Sequence, residues 1–259
     1  MNNVNWQELH EKLMLHFRLR AVPVAVKYFK TIEEAKKIPA LVFQPTNCSP
    51  CMAVGKAARK EECVAITYDN FTNNYCAGVN GMFEKDDKWH SAKPFKGRWH
   101  STMEAAQSHH KALTTFLKKE WEVFATAPLK EGLFEEPDAV ILFVNPEQAF
   151  WVLTSSVNKD YKKRHFTFCG ESTCNDSWIT TTMTGEVGLG IGSYGERSYS
   201  GLPEDLMMIS MKLEDVCKTI EGAVELKKGE GGERLGYPVP VFSLNGDIGE
   251  DTAEAFVGY

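Results

Sequence analysis

The stretch PDAVILFV, residues 137–144, is the part of the chain that most constrains the fold. A proline and an aspartate introduce it, and the run AVILFV then continues without a polar residue. A half-exposed strand would alternate apolar and polar residues, whereas an uninterrupted apolar run is typical of a strand covered on both faces. We therefore predict a buried strand here, in a sheet with flanking helices.

Outward from this strand, helix and strand patterns follow one another without regular alternation. Helices are predicted after Asn5, after Thr31, after Ser49, from Ser101 to about Trp121, and over residues 213–226. Further strands are predicted for residues 24–29, 40–43, 63–68, 178–184 and 206–211, and residues 71–82 are predicted to be loop. This irregular order favours an α+β fold with a mixed β-sheet over a doubly wound sheet. No clear linker divides the chain, so we expect a single domain over residues 1–259, with residues 227–259 as an irregular C-terminal extension.

The charge and hydropathy of the chain argue against several classes of function. The formal net charge is −6 and the basic residues are scattered, so a nucleic-acid-binding groove is not expected. No apolar run reaches membrane-spanning length, and residues 1–20 lack the pattern of a signal peptide. We therefore expect a cytoplasmic protein, in which seven cysteines would stay reduced instead of forming a disulfide framework.

The cysteine pair in NCSPC, residues 47–51, precedes a segment of helix-forming composition. Ser49 suits the N-cap and Pro50 the first helical position, which places Cys51 in the first turn. Backbone N–H groups and the helix dipole favour the thiolate there, the form that binds metals and attacks disulfides. The pair suits either a thioredoxin-like dithiol or a zinc site, and its spacing does not discriminate between them. The zinc site would use Cys48, Cys51, Cys63 and Cys76.

The other cysteines differ in how well they suit a ligand role. Cys76 lies in NNYCAGVNG, where small residues such as Gly78 let backbone N–H groups approach an anionic ligand. Cys169 and Cys174 lie in the turn-like stretch FCGESTCND, and one of them could face the first cysteine cluster. Cys217 lies on the apolar face of a predicted helix, where core packing is expected.

A glycine loop, GLGIGSYG at residues 188–195, contains Gly190, Gly192 and Gly195 in the G-x-G-x-x-G order. In dinucleotide-binding proteins such a loop opens a helix that holds the pyrophosphate. Gly201 and Pro203 fall where that helix should run, so dinucleotide binding is not expected. A loop that brings backbone close to another ligand remains an option. The candidate cofactor-binding residues are Gly78, Gly190, Gly192 and Arg197.

The histidines show no metal-ligand pairing such as H-E-x-x-H. Two WHS tripeptides, at residues 89–91 and 99–101, place a tryptophan beside a histidine. Their side chains could flank a ligand entrance, and these residues are Trp89, His90, Trp99 and His100.

Several segments together resemble a known prokaryotic family, the uncharacterised domain of unknown function 169. They are PVAVKYF, CMAVGKAAR, YCAGVNGMF, APLKEGLFEEPDAVILFVNPEQA, TCND and the glycine loop that precedes PEDLMMIS. The most specific is the block from APL to NPEQA, and the resemblance extends over roughly residues 8–225. It implies cysteines at Cys51, Cys76 and Cys174, and a fourth near Ile191, where this chain has none. Cys48 or Cys169 would have to substitute for that fourth thiol.

The expected function is binding of a soft metal centre by thiolates from separate loops in a cytoplasmic protein of redox metabolism. An iron–sulfur cluster of the 4Fe–4S type is favoured over zinc. The predicted ligands are Cys48, Cys51, Cys76 and Cys174. If only three thiols bind, one iron stays open for substrate, which favours an enzymatic role over electron relay alone. The expected partners are a redox protein or a small-molecule substrate, self-association into a homo-oligomer is left open, and nucleic acid and membrane are not expected.

Two alternatives belong to other classes of function. In the first, Cys48 and Cys51 form a metal-free dithiol that acts as a thiol oxidoreductase. In the second, the protein is a small-molecule binding module whose pocket is lined by the glycine loops and by Trp89 or Trp99, with its cysteines merely buried.

Overall fold

The computed structural model of the protein describes residues 4–71, 74–113, 116 and 119–228. Its seven strands are β1 Val24–Phe29, β2 Val42–Phe43, β3 Val64–Thr67, β4 Val123–Pro128, β5 Ala139–Val144, β6 Gly188–Gly190 and β7 Met207–Met211. They form one sheet in the order β2-β3-β4-β1-β5-β7-β6. The β2–β3 pair is parallel and the other neighbours are antiparallel. One mixed sheet with flanking helices confirms the predicted α+β class.

Helices cover both faces of this sheet. They are α1 Trp6–Phe17, α2 Ile32–Lys36, α3 Pro50–Lys60, α4 Asn74–Val79, α5 Asp87–His90, α6 Met103–Ala112, α7 Pro146–Ser156, α8 Thr180–Thr184, α9 Tyr194–Tyr199 and α10 Leu213–Lys228. A π-helical segment, Asn175–Ile179, leads directly into α8. Among the described helices, none combines the length and the apolar character that a membrane span requires.

Strand β5 is buried along its whole length, as its uninterrupted apolar run predicts. It lies between β1 and β7, so both of its edges are paired. Its alternate side chains enter two different cores, because successive residues of a strand point to opposite faces. Leu142 and Val144 pack in the core that contains α1, α7 and α10. Ile141 and Phe143 pack in the core that contains α3.

The predicted starts of the first three helices are confirmed by their caps. The Asn5 side chain accepts a hydrogen bond from the Glu8 backbone at 3.1 Å, and α1 follows. Thr31 forms a capping box with Glu34 at the start of α2. Ser49 caps α3, accepting from the backbone N–H of Met52 at 3.2 Å. These caps satisfy backbone donors that have no partner within the helix.

Two predicted elements are wrong, and one predicted helix is present but shorter than expected. The helix predicted from Ser101 to Trp121 is capped by Thr102 and ends at Ala112, since Leu113 is already extended. The predicted loop over residues 71–82 contains α4. The predicted strand over residues 178–184 is helical, because Trp178 and Ile179 are fully buried on the α3 face of the sheet and packing overrides β propensity.

The predicted C-terminal extension falls almost entirely on residues that are not described. Helix α10 runs to Lys228, so residues 227–228 are helical and not irregular. Residues 229–259, the rest of the predicted extension, lie outside the described part of the chain.

Candidate metal centre and its cavity

Three thiols line one cavity of about 510 Å³ on the α3 side of the sheet. Cys51 belongs to the first turn of α3, Cys76 to α4, and Cys174 directly precedes the π-helical segment. Each side chain is only partly exposed, as expected for residues that face a cavity. The structure therefore brings together three of the four predicted metal ligands, from three distant parts of the chain.

The start of α3 holds Cys51 in place. The Ser49 hydroxyl, which caps the helix, lies 2.8 Å from the sulfur of Cys51. Thr126 of strand β4 donates a hydrogen bond to the Ala53 carbonyl at 3.0 Å, and so ties the first turn of α3 to the sheet. The glycine loop runs beside this turn, because a Cβ atom on Gly195 would lie 3.7 Å from the Cys51 sulfur.

Helix α4, which carries Cys76, is attached to the central sheet through one buried amide. The Tyr28 hydroxyl of strand β1 donates to Asn80 Oδ1 at 2.7 Å. Asn80 Nδ2 in turn donates to the Cys76 carbonyl at 2.9 Å. A fully buried amide with both ends paired fixes the backbone at Cys76 relative to the sheet.

A carboxylate organises the loop before Cys174. Asp176 accepts hydrogen bonds from the Thr167 hydroxyl at 2.9 Å and from the Cys169 backbone N–H at 3.0 Å. The π-helical turns that follow Cys174 contain Ser177 at a non-helical φ of −103° and ψ of −108°. Such turns recur at functional sites, because they redirect side chains within a helix.

The fourth predicted ligand, Cys48, is not among the residues that line the cavity. It is 2% exposed, its backbone N–H bonds to the Asn70 carbonyl at 2.7 Å, and its thiol donates to the Ser49 carbonyl at 3.6 Å. Cys169, the other candidate, points into its own loop and donates to the Glu171 carbonyl at 3.1 Å. Neither thiol lines the cavity, although Cys169 lies near enough to Cys174 to contribute to the raised pKa of that thiol.

Two further cysteines contact the core on the opposite face of the sheet, beside α1 and α10. They are Cys63 and Cys217, and both are partly buried. Core packing was predicted for Cys217.

Burial governs the protonation of the cavity thiols. It raises the pKa of Cys51 above its ordinary value, and the charge of Glu196 adds to this effect. The Ser49 hydroxyl and the Met52 N–H oppose it but do not outweigh it. Burial likewise raises the pKa of Cys174 well above the ordinary value. The expected thiolate at the helix start is therefore not stabilised by the protein alone, because desolvation exceeds the contribution of the helix N-terminus.

Two carboxyl groups line the same cavity. Glu196 is 4% exposed and accepts hydrogen bonds from the Ser193 backbone at 2.9 Å and from the Ser193 hydroxyl. Glu171 accepts from the backbone N–H groups of Tyr194 and Gly195, and burial raises the pKa of its carboxyl to about 7. Sequence analysis missed both, although Ser193 and Glu196 have the spacing of a capping box and could have been recognised.

The four predicted cofactor-binding residues do not line this cavity. A Cβ on Gly78 would lie 2.4 Å from Trp89, and one on Gly190 would lie 2.2 Å from Thr173, so close packing accounts for both glycines. Gly192 adopts a φ of +89°, which favours glycine. Arg197 donates to two carbonyls and holds the glycine loop, and its acceptors are Ile191 at 2.6 Å and Pro203 at 2.8 Å.

A helix does follow the glycine loop, contrary to the sequence-based expectation. It is α9, which begins at the Ser193–Glu196 capping box and ends before Gly201. With six residues, it is a short turn of helix between the loop and Pro203. Its N-terminal N–H groups face the Glu171 carboxyl.

Aromatic side chains form most of the remaining wall. Trp89 and Trp99, which were predicted to flank a ligand entrance, both line the cavity. Their histidine neighbours, His90 and His100, do not. His110 of α6 is also part of the wall, and its spacing in the sequence gave no sign of this role. The other aromatic residues that line the cavity are Tyr75, Phe95, Tyr194 and Tyr199.

The donor chemistry of the cavity fits a soft metal, because sulfur ligands select zinc and iron–sulfur clusters. The present arrangement is not a closed site. In the described part of the chain, no group of three or more His, Cys, Asp or Glu residues is arranged to hold a metal ion. Cys51, Cys76 and Cys174 would therefore have to turn toward one another on binding.

Comparison with known proteins gives one match. A family model described as DUF169, Uncharacterised ArCR, matches residues 12–222, which is most of the chain. The motifs quoted for the resemblance fall within this range, so that resemblance is confirmed. No curated protein and no solved structure matches the chain.

Proposed function

Because the chain belongs to the uncharacterised family DUF169, whose description names no reaction, we propose a function from the cavity itself. The protein binds a soft metal centre through Cys51, Cys76 and Cys174, and the favoured centre is an iron–sulfur cluster. It acts in redox metabolism with a redox protein or a small molecule as its partner. A reducing compartment such as the cytoplasm is part of this proposal, because it keeps the thiols available.

One observation carries the proposal: three thiols from separate parts of the chain line the same cavity. Thiols whose pKa is raised by desolvation, as those of Cys51 and Cys174 are, make poor nucleophiles without a cation. A bound metal reverses this balance, since a coordinating thiol is deprotonated outright. Convergence of the thiols favours a metal-bound role, and their raised pKa values count against a metal-free dithiol.

The space beside the thiols favours a cluster over zinc. Their number does not decide between them, because three thiols line this cavity in the described structure, a catalytic zinc site uses three protein ligands and a cluster usually uses four. A multi-iron cluster needs more room than a single ion, and a cavity of about 510 Å³ adjoins the sulfurs. Three protein ligands would leave one iron open to a small molecule, as expected for an enzymatic role.

When bound, a cluster supplies one-electron transfer at a potential set by charge, hydrogen bonding and burial. The chain itself contributes three functions. The Ser49 hydroxyl hydrogen bonds the Cys51 sulfur, Asn80 fixes the backbone of Cys76, and Asp176 orders the loop before Cys174. The Glu171 carboxyl can hold or release a proton near neutral pH.

Anaerobic purification tests the metal directly. We expect bound iron by elemental analysis and a brown absorption in protein that has been kept from air. Single replacements Cys51→Ser, Cys76→Ser and Cys174→Ser should each remove most of the iron. Cys217→Ser is the matched control, because Cys217 contacts the opposite core and should leave the iron content unchanged. Circular dichroism of each variant separates loss of the metal from loss of the fold.

Iron-free protein after strictly anaerobic preparation and reconstitution would contradict the cluster. Zinc in the same analysis, lost in the same three variants, would keep the site and change the metal.

A small-molecule binding module without metal is the second candidate. The aromatic wall with Trp89 and Trp99 favours it, because ligand cavities are lined mainly by apolar and aromatic groups. If the triple variant of Cys51, Cys76 and Cys174 keeps its stability and its ligand binding, this candidate is preferred. The metal-free dithiol has less support, since the Cys48 thiol lies outside the cavity that contains Cys51.

A further inference from the structure

The mouth of the cavity carries exposed aromatic rings. Trp99, Tyr194 and Tyr199 line the cavity, yet their exposed fractions are 37%, 55% and 59%. The ring centroids of Trp99 and Tyr194 lie 5.6 Å apart, and those of Tyr194 and Tyr199 lie 6.1 Å apart. Exposed aromatic clusters of this kind mark binding sites, because leaving them in water is unfavourable.

Inside the cavity wall, a buried imidazole is poorly paired: the Trp89 backbone lies near enough to affect its pKa, but no hydrogen bond of normal geometry forms. His110 is 7% exposed and lines the wall, and neither of its ring nitrogens has a partner of normal geometry in the described structure. Burial lowers the pKa of His110 to about 4, and His109 adds to the effect. The ring is therefore neutral at pH 7, so one nitrogen can donate and the other can accept. Both ring nitrogens are themselves covered, so the ring would have to turn for a ligand in the cavity to supply the missing hydrogen bond.

The charges around the cavity do not favour a charged ligand. Lys88 and Arg98 are the basic side chains of the wall, and both are exposed. Three acidic side chains, Asp86, Glu171 and Glu196, oppose this charge in part, because burial raises the pKa of Glu171 to about 7 and also raises the pKa of Glu196. Arg98 itself acts on the Glu171 carboxyl and lowers its pKa, against the larger effect of burial. A wall of mixed sign offers little preference for an anion or a cation.

We propose that this cavity binds an uncharged, planar aromatic molecule that carries at least one hydrogen-bonding group. Its ring packs against the aromatic wall, where Trp99 and Tyr194 cover it at the mouth, and its polar group pairs with His110. A cavity of about 510 Å³ suits a molecule of two or three fused rings. Binding of this molecule does not depend on the proposed function. Only its role as the redox substrate rests on that function.

Two alcohols with the same carbon skeleton test the proposal. They are 1-naphthol, which is planar, and decahydro-1-naphthol, which is saturated, and both are uncharged and carry one hydroxyl group. Isothermal titration calorimetry at pH 7 should show one site for 1-naphthol, with an affinity about three- to tenfold above that of the saturated alcohol. Equal affinities, or no binding of 1-naphthol, would overturn the proposal.

Variants locate the site. Trp99→Ala should weaken 1-naphthol binding by about three- to tenfold, since it removes one aromatic contact. His110→Phe keeps an aromatic ring and removes both nitrogens, and should weaken binding by a similar factor. Tyr161→Ala is the control, because Tyr161 is 81% exposed and does not line the cavity. Unchanged affinity in Trp99→Ala, a partly exposed residue whose loss the fold should tolerate, would show that binding occurs elsewhere.

Measuring iron in the same samples separates this proposal from the proposed function. Iron-free protein that binds 1-naphthol with the expected variant effects supports the aromatic site and contradicts the cluster. Iron-loaded protein that does not bind 1-naphthol supports the cluster and overturns the aromatic site.

Discussion

At the scale of single residues, Cys51 shows how two opposing effects decide the chemistry of a thiol. Its place in the first turn of α3 supplies a backbone N–H and a hydroxyl that stabilise the thiolate. Its position among other buried groups removes water, and desolvation has the larger effect on the pKa. The sequence Ser-Pro-Cys predicts that Cys51 lies in the first turn of the helix, whereas its desolvation depends on residues that are distant in the chain.

Alkylation of Cys51 tests this balance in metal-free protein. Because burial raises the pKa, less thiolate is present at pH 8 than in an ordinary thiol, and reaction with iodoacetamide should be slower than that of glutathione by at least about tenfold. Labelling should still increase as the pH rises above 9.0, the ordinary pKa of the thiol. Mass spectrometry of the Cys51 peptide measures both rates.

The unfolded protein provides the control, because Cys51 should then react at the ordinary rate. Labelling of the folded protein that is faster than that of glutathione would support the metal-free dithiol instead.

At the scale of elements, local signals predicted three capped helix starts and five of the strands, but they placed the cap of α6 at the wrong residue and missed the helical turns over residues 175–184. The caps at Asn5, Thr31 and Ser49 were predicted correctly, since each depends on contacts within four residues. Residues 175–184 form helical turns, but residues 178–184 were predicted as a strand because their β-branched side chains favour a strand. There a buried hydrogen bond from Thr181 to the Ser210 carbonyl, at 3.1 Å, ties the turns to strand β7.

Removing the cap of α3 should lower both the stability of the protein and its retention of iron. Ser49→Ala loses the hydrogen bond from Met52, and we expect the free energy of unfolding to fall by about 1 kcal/mol. The same change removes the hydroxyl beside the Cys51 sulfur, so iron retention in air should also decrease. Urea denaturation and iron analysis measure the two effects.

Thr102→Ala is the matched control for this change. Thr102 caps α6 in the same way, accepting from the Ala105 backbone at 3.1 Å, and does not line the cavity. It should cost a similar free energy of unfolding and leave iron retention unchanged. An equal loss of iron in both variants would show that Ser49 acts only through stability.

At the scale of the whole molecule, the sheet separates two hydrophobic cores, and only one of them adjoins the cavity. In one core, which contains α1, α7 and α10, none of the described residues lines the cavity. The other contains α3 and surrounds the thiols. Helices α7 and α10 cross closely in the first core, because a Cβ on Gly222 would lie 2.1 Å from the Ser155 carbonyl oxygen.

Overpacking this crossing should destabilise the fold without changing the site. Gly222→Ala forces two backbones apart, and we expect the free energy of unfolding to fall by about 1–3 kcal/mol. Iron content of the folded protein should not change, since the crossing lies on the opposite face of the sheet from the cavity.

Lys218→Ala, at an exposed position of α10, is the control and should shift stability by less than about 0.5 kcal/mol. Stability of Gly222→Ala equal to that of Lys218→Ala would mean that the two helices can move apart at no cost.

The sequence by itself determined the buried strand at residues 139–144, the capped starts of three helices and the α+β class, because these depend on local periodicity and on neighbours a few residues away. It also indicated Cys51, Cys76 and Cys174 through family resemblance. Only the tertiary structure decided that these thiols share a cavity, that Cys48 faces elsewhere, and that Glu171, Glu196 and His110 join the wall. Those outcomes depend on which segments meet across the sheet, and no local pattern in the chain encodes such long-range contacts.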